Sequence, residues 1–389
     1  MRKSIPFEPD LAVESDGGSL GDARLTRRLQ RIVALATADP AESFPEQMAS
    51  VADREALYRF LANPKVTLPG VLQGHLEQTH ARIAAHAVIR VVHDTTAFRF
   101  PGERTGLGVI RGKTMGFLGH MALAVTADAT REALGVLAVQ PYIHTEAVAH
   151  RGPSQTARMQ ATHAKPRAAK ESARWERMAC AVSAALPGGV AAIHVMDQEA
   201  DDYDLLAALH EAQLRFVVRA SPQRTTTTQQ SAKVVLESQP ATLFRTVAMT
   251  PRRPHESART QGRHPVRVER DATVHVRWGT LTLRRQCRSA SAQPTVSVTA
   301  VHVWEPAPPA GQAPIEWMLF TSEPVHTLED AAAIVDRYRA RWLIEEYFKP
   351  LPGSAWVEIE PPAVGDNARR RRAHGSHVGS KACRRRDHG

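Results

Sequence analysis

The feature that most constrains the fold is a short apolar run at 190–196 (VAAIHVM), preceded by a Pro-Gly-Gly turn and followed by Asp197. A run this short and this apolar indicates a strand buried on both faces of a sheet. Such a strand needs helices on both sides, and the sequence predicts helices at 155–186 and 200–213. Further strands are predicted at 87–93, 117–127, 133–139, 215–219 and 316–321. We therefore predict an α/β fold with a mixed sheet flanked by helices.

A segment of different character interrupts this alternation between about 222 and 314. Its apolar residues, many of them valines between Val266 and Val303, alternate with polar ones, which is the period of a strand with one buried face. The segment ends in a Pro-rich loop at 306–314, after which the α/β pattern resumes. We predict an antiparallel β insertion inside an α/β domain that spans 87–349.

The residues before the sheet, 19–86, predict a small helical domain, and residues 1–18 predict a flexible arm. The predicted helices lie at about 22–38, 52–61 and 68–85. The first carries Arg24, Arg27 and Arg28 largely on the side opposite its apolar residues. This basic side fits either a solvated surface or a contact with DNA.

Basic residues outnumber acidic ones by 50 to 40, which favours a polyanionic partner such as nucleic acid. Eight of the basic and four of the acidic residues lie in 350–389, so the rest of the chain is only mildly basic, at 42 against 36. That tail has only six large apolar residues. Their burial cannot offset an ordering cost of about 1–2 kcal/mol per backbone residue, so we predict a disordered basic tail.

Several classes of protein are excluded by what the sequence lacks. It has no apolar run of 18 residues that would span a membrane, and its first residues lack the apolar region of a secretory signal. Its three cysteines, Cys180, Cys287 and Cys383, are too far apart to indicate disulfides or a zinc site. No phosphate-binding P-loop is present. We expect a cytoplasmic protein that contacts no membrane.

One predicted helix, at 328–349, carries charge on its apolar side. Tyr338, Arg341 and Glu345 have the spacing i, i+3, i+7 and so form one stripe. Apolar residues such as Ile334 fall in the same sector. A glutamate that faces a core is costly unless a cation balances it. Two interpretations stay open, an internal Arg341–Glu345 ion pair and a functional site.

Two further acids follow predicted strands, Asp94 after 87–93 and Asp197 after 190–196. The carboxyl ends of strands are where open α/β sheets place their sites. Either aspartate alone is better explained as a turn or cap residue. Two acids at strand ends together with one on the apolar side of a helix favour a common site. Oxygen ligands without Cys or His suit Mg²⁺ or Mn²⁺, and two such ions about 3.5–4 Å apart can promote phosphodiester displacement.

Five spaced motifs resemble the insertion-sequence-four family of bacterial DDE transposases, of the cut-and-paste, transposon-five type. In order they are HDTT at 93–96, VMDQEADDYDLL at 195–206, FVVRA at 216–220, EWMLFTSEP at 316–324 and YRARWLIEEYFK at 338–349. The segments GDARLTRRL and ALYRFLANPKV near the N-terminus are similar to the helical DNA-binding domain of that family. The resemblance covers about 18–349.

The resemblance implies a ribonuclease-H-like core interrupted by the β insertion. It implies that Asp94, Asp197 and Glu345 form a catalytic triad that binds two Mg²⁺ or Mn²⁺ ions. It further implies that Tyr338 and Arg341 hold DNA near a flipped base. Trp317 would stack on that base, whereas without the family it is better explained as a core residue.

The partners implied are transposon-end DNA, contacted by the arginines of the first helix, and target DNA, which would place the protein on the nucleoid. Cleavage of one strand would free a 3′-hydroxyl that attacks the opposite strand. The resulting hairpin would be reopened and joined to target DNA. The family also acts as a homodimer.

The sequence departs from the family beyond Lys349. Pro352 stands where the family signature has Lys, and the family's helical dimerisation region is replaced by the tail. We predict that 350–389 is out of frame and that the chain dimerises poorly. Gln198 replaces a commoner Arg. Two alternatives stay open, an inactive remnant that binds terminal repeats without cutting them, and a nucleic-acid-coating protein that uses the tail.

Overall fold

One sheet of ten strands organises the chain, as a computed structural model shows. The structure describes residues 14–15, 20–38, 45–100, 106–111, 114–143, 172–249, 268–286, 289–312 and 314–348. The strands are β1 (Val88–Phe100), β2 (Gly108–Arg111), β3 (Thr114–Thr126), β4 (Ala133–Tyr142), β5 (Ala191–Met196), β6 (Arg215–Ala220), β7 (Thr242–Met249), β8 (Arg270–Arg284), β9 (Thr295–Trp304) and β10 (Glu316–Thr321).

Helices cover both faces of this sheet. In the described ranges they are α1 (Ala23–Ala38), α2 (Val51–Leu61), α3 (Leu68–Ile83), α4 (Ala173–Ala185), α5 (Tyr203–Glu211), α6 (Ala232–Leu236), α7 (Leu328–Arg339) and α8 (Trp342–Phe348). On one face, α4 and α5 pack around buried residues that include Trp175 and Phe216. On the other, α7 and α8 pack around Val195 and Leu319. The run at 190–196 is therefore covered on both faces, as predicted.

The centre of the sheet is parallel. β1 pairs with β5 and β5 with β6 in parallel, and antiparallel β3 lies on the outer edge of β1. β4 pairs in turn with β3, so this part of the sheet has the order β4-β3-β1-β5-β6. The prediction of a mixed α/β sheet is confirmed.

The predicted β insertion does not form a separate layer. Its strands β7, β8 and β9 are antiparallel, as predicted. However, all six residues of β10 pair with β9, and β10 also pairs with β6, so the same sheet continues through them. The short helix α6 also interrupts the segment. Alternation of period two identifies a strand with one buried face, but it does not reveal which sheet edge that strand joins.

The strand predicted at 87–93 is longer than its pattern indicates. β1 continues to Phe100, so Asp94 lies within a strand and not after one. Antiparallel pairing with β3 extends β1, with Asp94 opposite Met121. The parallel pairing of β1 with β5 nevertheless ends at Val92, opposite Val195. Asp94 therefore still lies just past the parallel centre of the sheet.

The helix predicted at 328–349 is two helices. A capping box begins the first of them, in which Thr327 Oγ1 accepts from the Asp330 backbone N–H and the Asp330 carboxylate accepts from that of Thr327. Between α7 and α8 the hydrogen bonds tighten to three residues, as in Arg341 N–H to the Tyr338 carbonyl (3.0 Å). No proline or glycine marks this break, so the sequence period could not predict it.

The N-terminal helices form a unit with its own small core, and α3 joins that unit to the sheet. Val71 of α3 packs with the core of α1 and α2, whereas Ile83 at the other end of α3 packs under β1 and β4. Arg82 Nε also donates to the Leu134 carbonyl at 2.6 Å. The predicted helices at 22–38, 52–61 and 68–85 are confirmed within one or two residues.

One residue of the predicted flexible arm 1–18 is held in place. Glu14 is buried, and its carboxylate lies 2.5 Å from both Arg82 Nη1 and His75 Nδ1. The rest of the arm, apart from Ser15, lies outside the described residues. So do 155–171 of a predicted helix and the whole of the predicted tail, 350–389. Among the described helices none is long and apolar enough to cross a membrane.

Candidate active site

Asp94 and Asp197 stand beside each other on the face of the sheet that α7 and α8 cover. Asp94 is 2% and Asp197 is 7% exposed. Each carboxylate already accepts one backbone hydrogen bond. The Thr95 N–H donates to Asp94 Oδ1 at 2.7 Å, and the Glu199 N–H donates to Asp197 Oδ1 at 2.8 Å, which caps a short 3₁₀ turn. These bonds fix both carboxylates where the parallel strands end.

Arg341 connects Asp94 to Glu345. Its Nη1 lies 3.0 Å from Asp94 Oδ2, and its Nη2 donates to Glu345 Oε1 one turn further along the chain. The two acids are separated by 251 positions in the sequence but share one guanidinium group. The Arg341–Glu345 ion pair that the sequence left open is therefore present, and it includes Asp94 as well.

The electrostatics of this site are dominated by negative charge. Burial raises the pKa of Asp94 to about 8, and the nearby carboxylates of Asp197 and Glu345 add to the effect, while Arg341 opposes it. Burial acts to lower the pKa of Arg341, but Tyr338 and the surrounding acids outweigh it and raise the pKa. One arginine does not balance three carboxylates in a place where water is largely excluded.

The residue types suit a hard divalent cation, but the present arrangement is built around Arg341. In the part of the chain that the structure describes, no three His, Cys, Asp or Glu side chains surround a common point as metal ligands would. Three carboxylates from separate elements are nevertheless the donor set of Mg²⁺ and Mn²⁺ sites. The raised pKa of Asp94 indicates the same demand for positive charge.

Two predicted DNA-binding residues, Trp317 and Tyr338, pack against each other beside the acids. Their ring centroids are 5.6 Å apart in an edge-on arrangement. Tyr338 is 6% exposed, and burial raises the pKa of its hydroxyl, with a further contribution from Asp197. Trp317 is only half-buried, and it pairs through its backbone with Val303. Both rings thus pack in the core under α7, and Tyr338 also lies near the Asp197 carboxylate.

The predicted DNA-binding arginines of α1 lie elsewhere. Arg24, Arg27 and Arg28 are exposed, whereas Leu29 and Ile32 of the same helix are buried. Arg24 pairs with Asp22 at 3.1 Å. No described contact brings these arginines to the acids.

A buried histidine pair behind the acids was not singled out from the sequence. His93 Nε2 and His194 Nδ1 lie 2.8 Å apart, and His194 Nε2 lies 2.8 Å from Ser183 Oγ. Burial lowers the pKa of both rings, that of His194 to about 4, so both are neutral. The pair links β1 to β5 on the face opposite the acids. Its signal in the sequence is the lone polar residue in the run VAAIHVM.

Comparison with known proteins finds a matching family for the N-terminal part of the chain. Residues 11–66 match a family described as Transposase DNA-binding. The match includes all of α1 and α2, which carry the exposed arginines. The N-terminal part of this chain is thus similar to the DNA-binding domains of transposases.

A solved structure with a weak similarity is the cryo-EM structure of the piggyBac transposase synaptic complex with hairpin DNA. The TM-score is 0.35 and the sequence identity 8%. The alignment covers 83% of this chain and 58% of the piggyBac transposase chain, so this chain spans less than two thirds of the length of that protein. A similarity at this level leaves the function of the acid site to be argued from the site itself.

Proposed function

We propose that the chain is a DNA transposase of the insertion-sequence-four type, in which Asp94, Asp197 and Glu345 serve the cutting and joining of DNA strands. The observation that carries the proposal is the contact of Arg341 with both Asp94 and Glu345, with Asp197 close by. The Transposase DNA-binding match at 11–66 supports DNA as the substrate. The strand order β4-β3-β1-β5-β6 agrees with a ribonuclease-H-like core.

In this proposal the chain's own residues create a dry, negatively charged pocket. The backbone bonds from Thr95 and Glu199 orient Asp94 and Asp197 before any substrate arrives. Orientation of this kind lowers the entropic cost of an in-line displacement. Arg341 holds Glu345 and Asp94 together while the site is empty of DNA, and its guanidinium is then available to a phosphate or base edge.

Asp94, Asp197 and Glu345 would hold two Mg²⁺ or Mn²⁺ ions. Such ions, when bound, supply charge neutralisation at the phosphate and activation of the attacking oxygen. Arg341 must then release at least one carboxylate, since its Nη atoms engage oxygen atoms of both Asp94 and Glu345. The exchange of one counter-charge for another is therefore part of the proposal.

Around the acids, Trp317 and Tyr338 offer an aromatic wall for a base that leaves the duplex. Stacking on such a ring contributes about 1–3 kcal/mol per base, which is comparable with the cost of extruding the base. The proposed products are a nick, then a hairpin, and finally DNA joined to a target. The arginines of α1 would contact the transposon end with a steep dependence on salt.

The test is a cleavage assay with duplexes that cover the DNA flanking the coding sequence on each side. The full chain is incubated with Mn²⁺, and the products are resolved on denaturing gels that separate nicked strands from hairpins. We expect nicks at a defined position, which the Asp94→Ala variant does not make. Absence of any nick or hairpin from a chain that binds these duplexes would refute the enzymatic proposal.

A second candidate is a DNA-binding remnant that cuts nothing. The altered C-terminus favours it, because Pro352 stands where the family signature has Lys. This candidate predicts binding to the flanking duplexes without cleavage in either metal. Gel filtration with the same duplexes tests the further proposal that the out-of-frame tail impairs dimerisation, which a stable paired-end complex would contradict.

A further inference from the structure

Three arginines converge on a single carboxylate, that of Asp336 on α7. Arg245 Nη2 lies 2.8 Å from Asp336 Oδ1, and its Nη1 lies 3.3 Å from Oδ2. Arg339 Nη1 lies 3.2 Å and Arg131 Nη2 3.9 Å from the same Oδ1. We call Arg131, Arg245 and Arg339 the arginine triad. One carboxylate neutralises only one of its three charges.

The triad is assembled by the tertiary fold and not by a local helix pattern. Arg131 lies in the turn between β3 and β4, near one end of the strand order, whereas Arg245 lies on β7 at the other end. Both reach Asp336 because strands from both ends of the sheet pack around α7. Arg131 also has a φ of 56°, in the left-handed region that favours glycine. The turn keeps an arginine where the backbone would be less strained with glycine.

A fourth arginine adds positive charge that the described residues leave unbalanced. Arg90 is 5% exposed, and its Nε and Nη1 have no hydrogen-bond partner. Burial, and then repulsion by Arg131 and Arg337, lowers the pKa of Arg90. Asp128 lies nearby, and hydrogen bonds from the hydroxyl groups of its turn keep its carboxylate ionised, so Asp128 and Asp336 together offset two of the four positive charges. The region has positive charge to offer an incoming anion.

The triad is accessible to a partner. The side chains of Arg131, Arg245 and Arg339 are 29%, 28% and 42% exposed, and that of Asp336 is 36% exposed. Glu323 does not compete for the triad, because Arg215 and Arg337 occupy its carboxylate. Asp336 therefore holds three guanidinium groups together at a position that solvent partly reaches.

We propose that the arginine triad is a binding site for backbone phosphates of duplex DNA. Guanidinium groups match phosphate geometry and remain charged at every physiological pH. Arg339 of the triad ends α7, two residues before Arg341, the arginine that contacts the acids. One duplex bound at this end of α7 thus contacts the triad and extends toward the acids. The inference rests on the proposed function, because it adds a second contact for the same DNA.

The test compares DNA binding by the full chain and a triple variant, Arg131→Gln/Arg245→Gln/Arg339→Gln. Fluorescence anisotropy with a labelled duplex from the flanking DNA is measured over a series of salt concentrations. Each phosphate contact that is lost lowers the slope of log K against log salt by about 1, so we expect a slope smaller by about 2–3 and weaker binding. The matched control is Arg284→Gln, an exposed arginine on β8, which should leave the slope within about 0.5 of the wild type. The triple lysine variant should recover most of the slope.

The outcomes separate this inference from the proposed function. A triple variant with unchanged affinity and slope overturns the inference, and if Arg24→Gln/Arg27→Gln/Arg28→Gln weakens binding, the proposed function stands. A wild-type chain that binds no DNA overturns both. If the triple variant is misfolded by circular dichroism, Arg339→Gln replaces it, because Arg339 has the most exposed side chain of the triad. A slope lowered by about 1 then supports the inference, and an unchanged slope overturns it.

Discussion

The two charged clusters of α7 and α8 are built in opposite senses. Near α8, three carboxylates stand around Arg341, whereas on α7 the three arginines of the triad stand around Asp336. The acid cluster is buried and the triad is partly exposed. Burial, more than the number of charges, therefore sets the energetic cost of each cluster. Burial raises the pKa of Asp94 to about 8 in the first cluster, whereas the side chains of the triad are partly exposed to water.

Removal of an acid from the buried cluster gives the largest expected effect. Asp94→Ala should lower the rate of strand nicking by about 10⁴-fold or more, the scale expected when one residue of a catalytic unit is lost. Denaturing gels with flanking duplexes and Mn²⁺ measure it. Asp271→Asn, which changes an exposed acid on β8, should leave the rate unchanged. Equal nicking by Asp94→Ala and the wild type would remove the acid cluster from the chemistry.

Removal of the single cation from the same cluster should destabilise the fold. Arg341→Ala leaves the buried acids without their counter-charge, so we expect a loss of about 3–5 kcal/mol in the free energy of unfolding. Urea unfolding at neutral pH measures it, and added Mn²⁺ should restore more stability to this variant than to the wild type. Arg339→Ala, on the partly exposed triad, should cost less than about 1 kcal/mol. Equal losses for the two variants would contradict the comparison.

The converse experiment removes Asp336, the single acid that the triad surrounds. Asp336→Asn deprives three arginines of their shared carboxylate, but the exposed site limits the loss to about 1 kcal/mol of stability. It also raises the local net charge by one, so DNA binding should tighten by about 3–10-fold at low salt, on the scale of one added phosphate contact. Anisotropy with the same labelled duplex measures this change. Weaker binding would mean that Asp336 orients the triad more than it offsets its charge.

A balanced ion cluster around Glu316 serves as the reference for both charged clusters. Glu316 is bonded by His302 Nε2 at 3.0 Å and by Lys233 Nζ at 2.7 Å, and His302 and then Lys233 lower its pKa to about 2, against burial. A lowered carboxyl pKa stabilises the fold above the unfolded value of about 4.3, and the benefit is lost as the pH falls toward 2. Glu316→Gln should therefore cost about 1 kcal/mol at pH 7 and nothing at pH 2. Thermal unfolding at both pH values measures it.

Local patterns in the sequence predicted much of the fold. The run at 190–196 became the buried strand β5, and 316–321 became β10 at the same residues. Errors arose where long-range pairing decides the outcome. β1 extends past Asp94 because β3 pairs with it, and the insertion joins the main sheet because β9 meets β10. Neither partner is visible in the local period of the strand.

The candidate site, like the fold, could be predicted from the sequence only in part. The spacing of Tyr338, Arg341 and Glu345 predicted a common stripe, and the structure brings Arg341 to both Glu345 and Asp94. The roles of these residues remain predictions that the cleavage assay tests. The triad was not predicted, because Arg131 and Arg245 come together only at Asp336 in the tertiary structure. Charges that are distant in the sequence carry no period by which a pattern could find them.

Helix α3 sets the spacing between the N-terminal helices and the sheet. Its 16 residues measure about 24 Å, with Val71 anchored in the N-terminal core and Ile83 under the sheet. Since an α-helix turns about 100° per residue, one residue added to α3 would rotate the N-terminal unit by that angle and advance it by about 1.5 Å. Under the proposed function, the distance from the DNA that α1 contacts to the nucleotide at the acids would then depend on the length of α3, in steps of one residue.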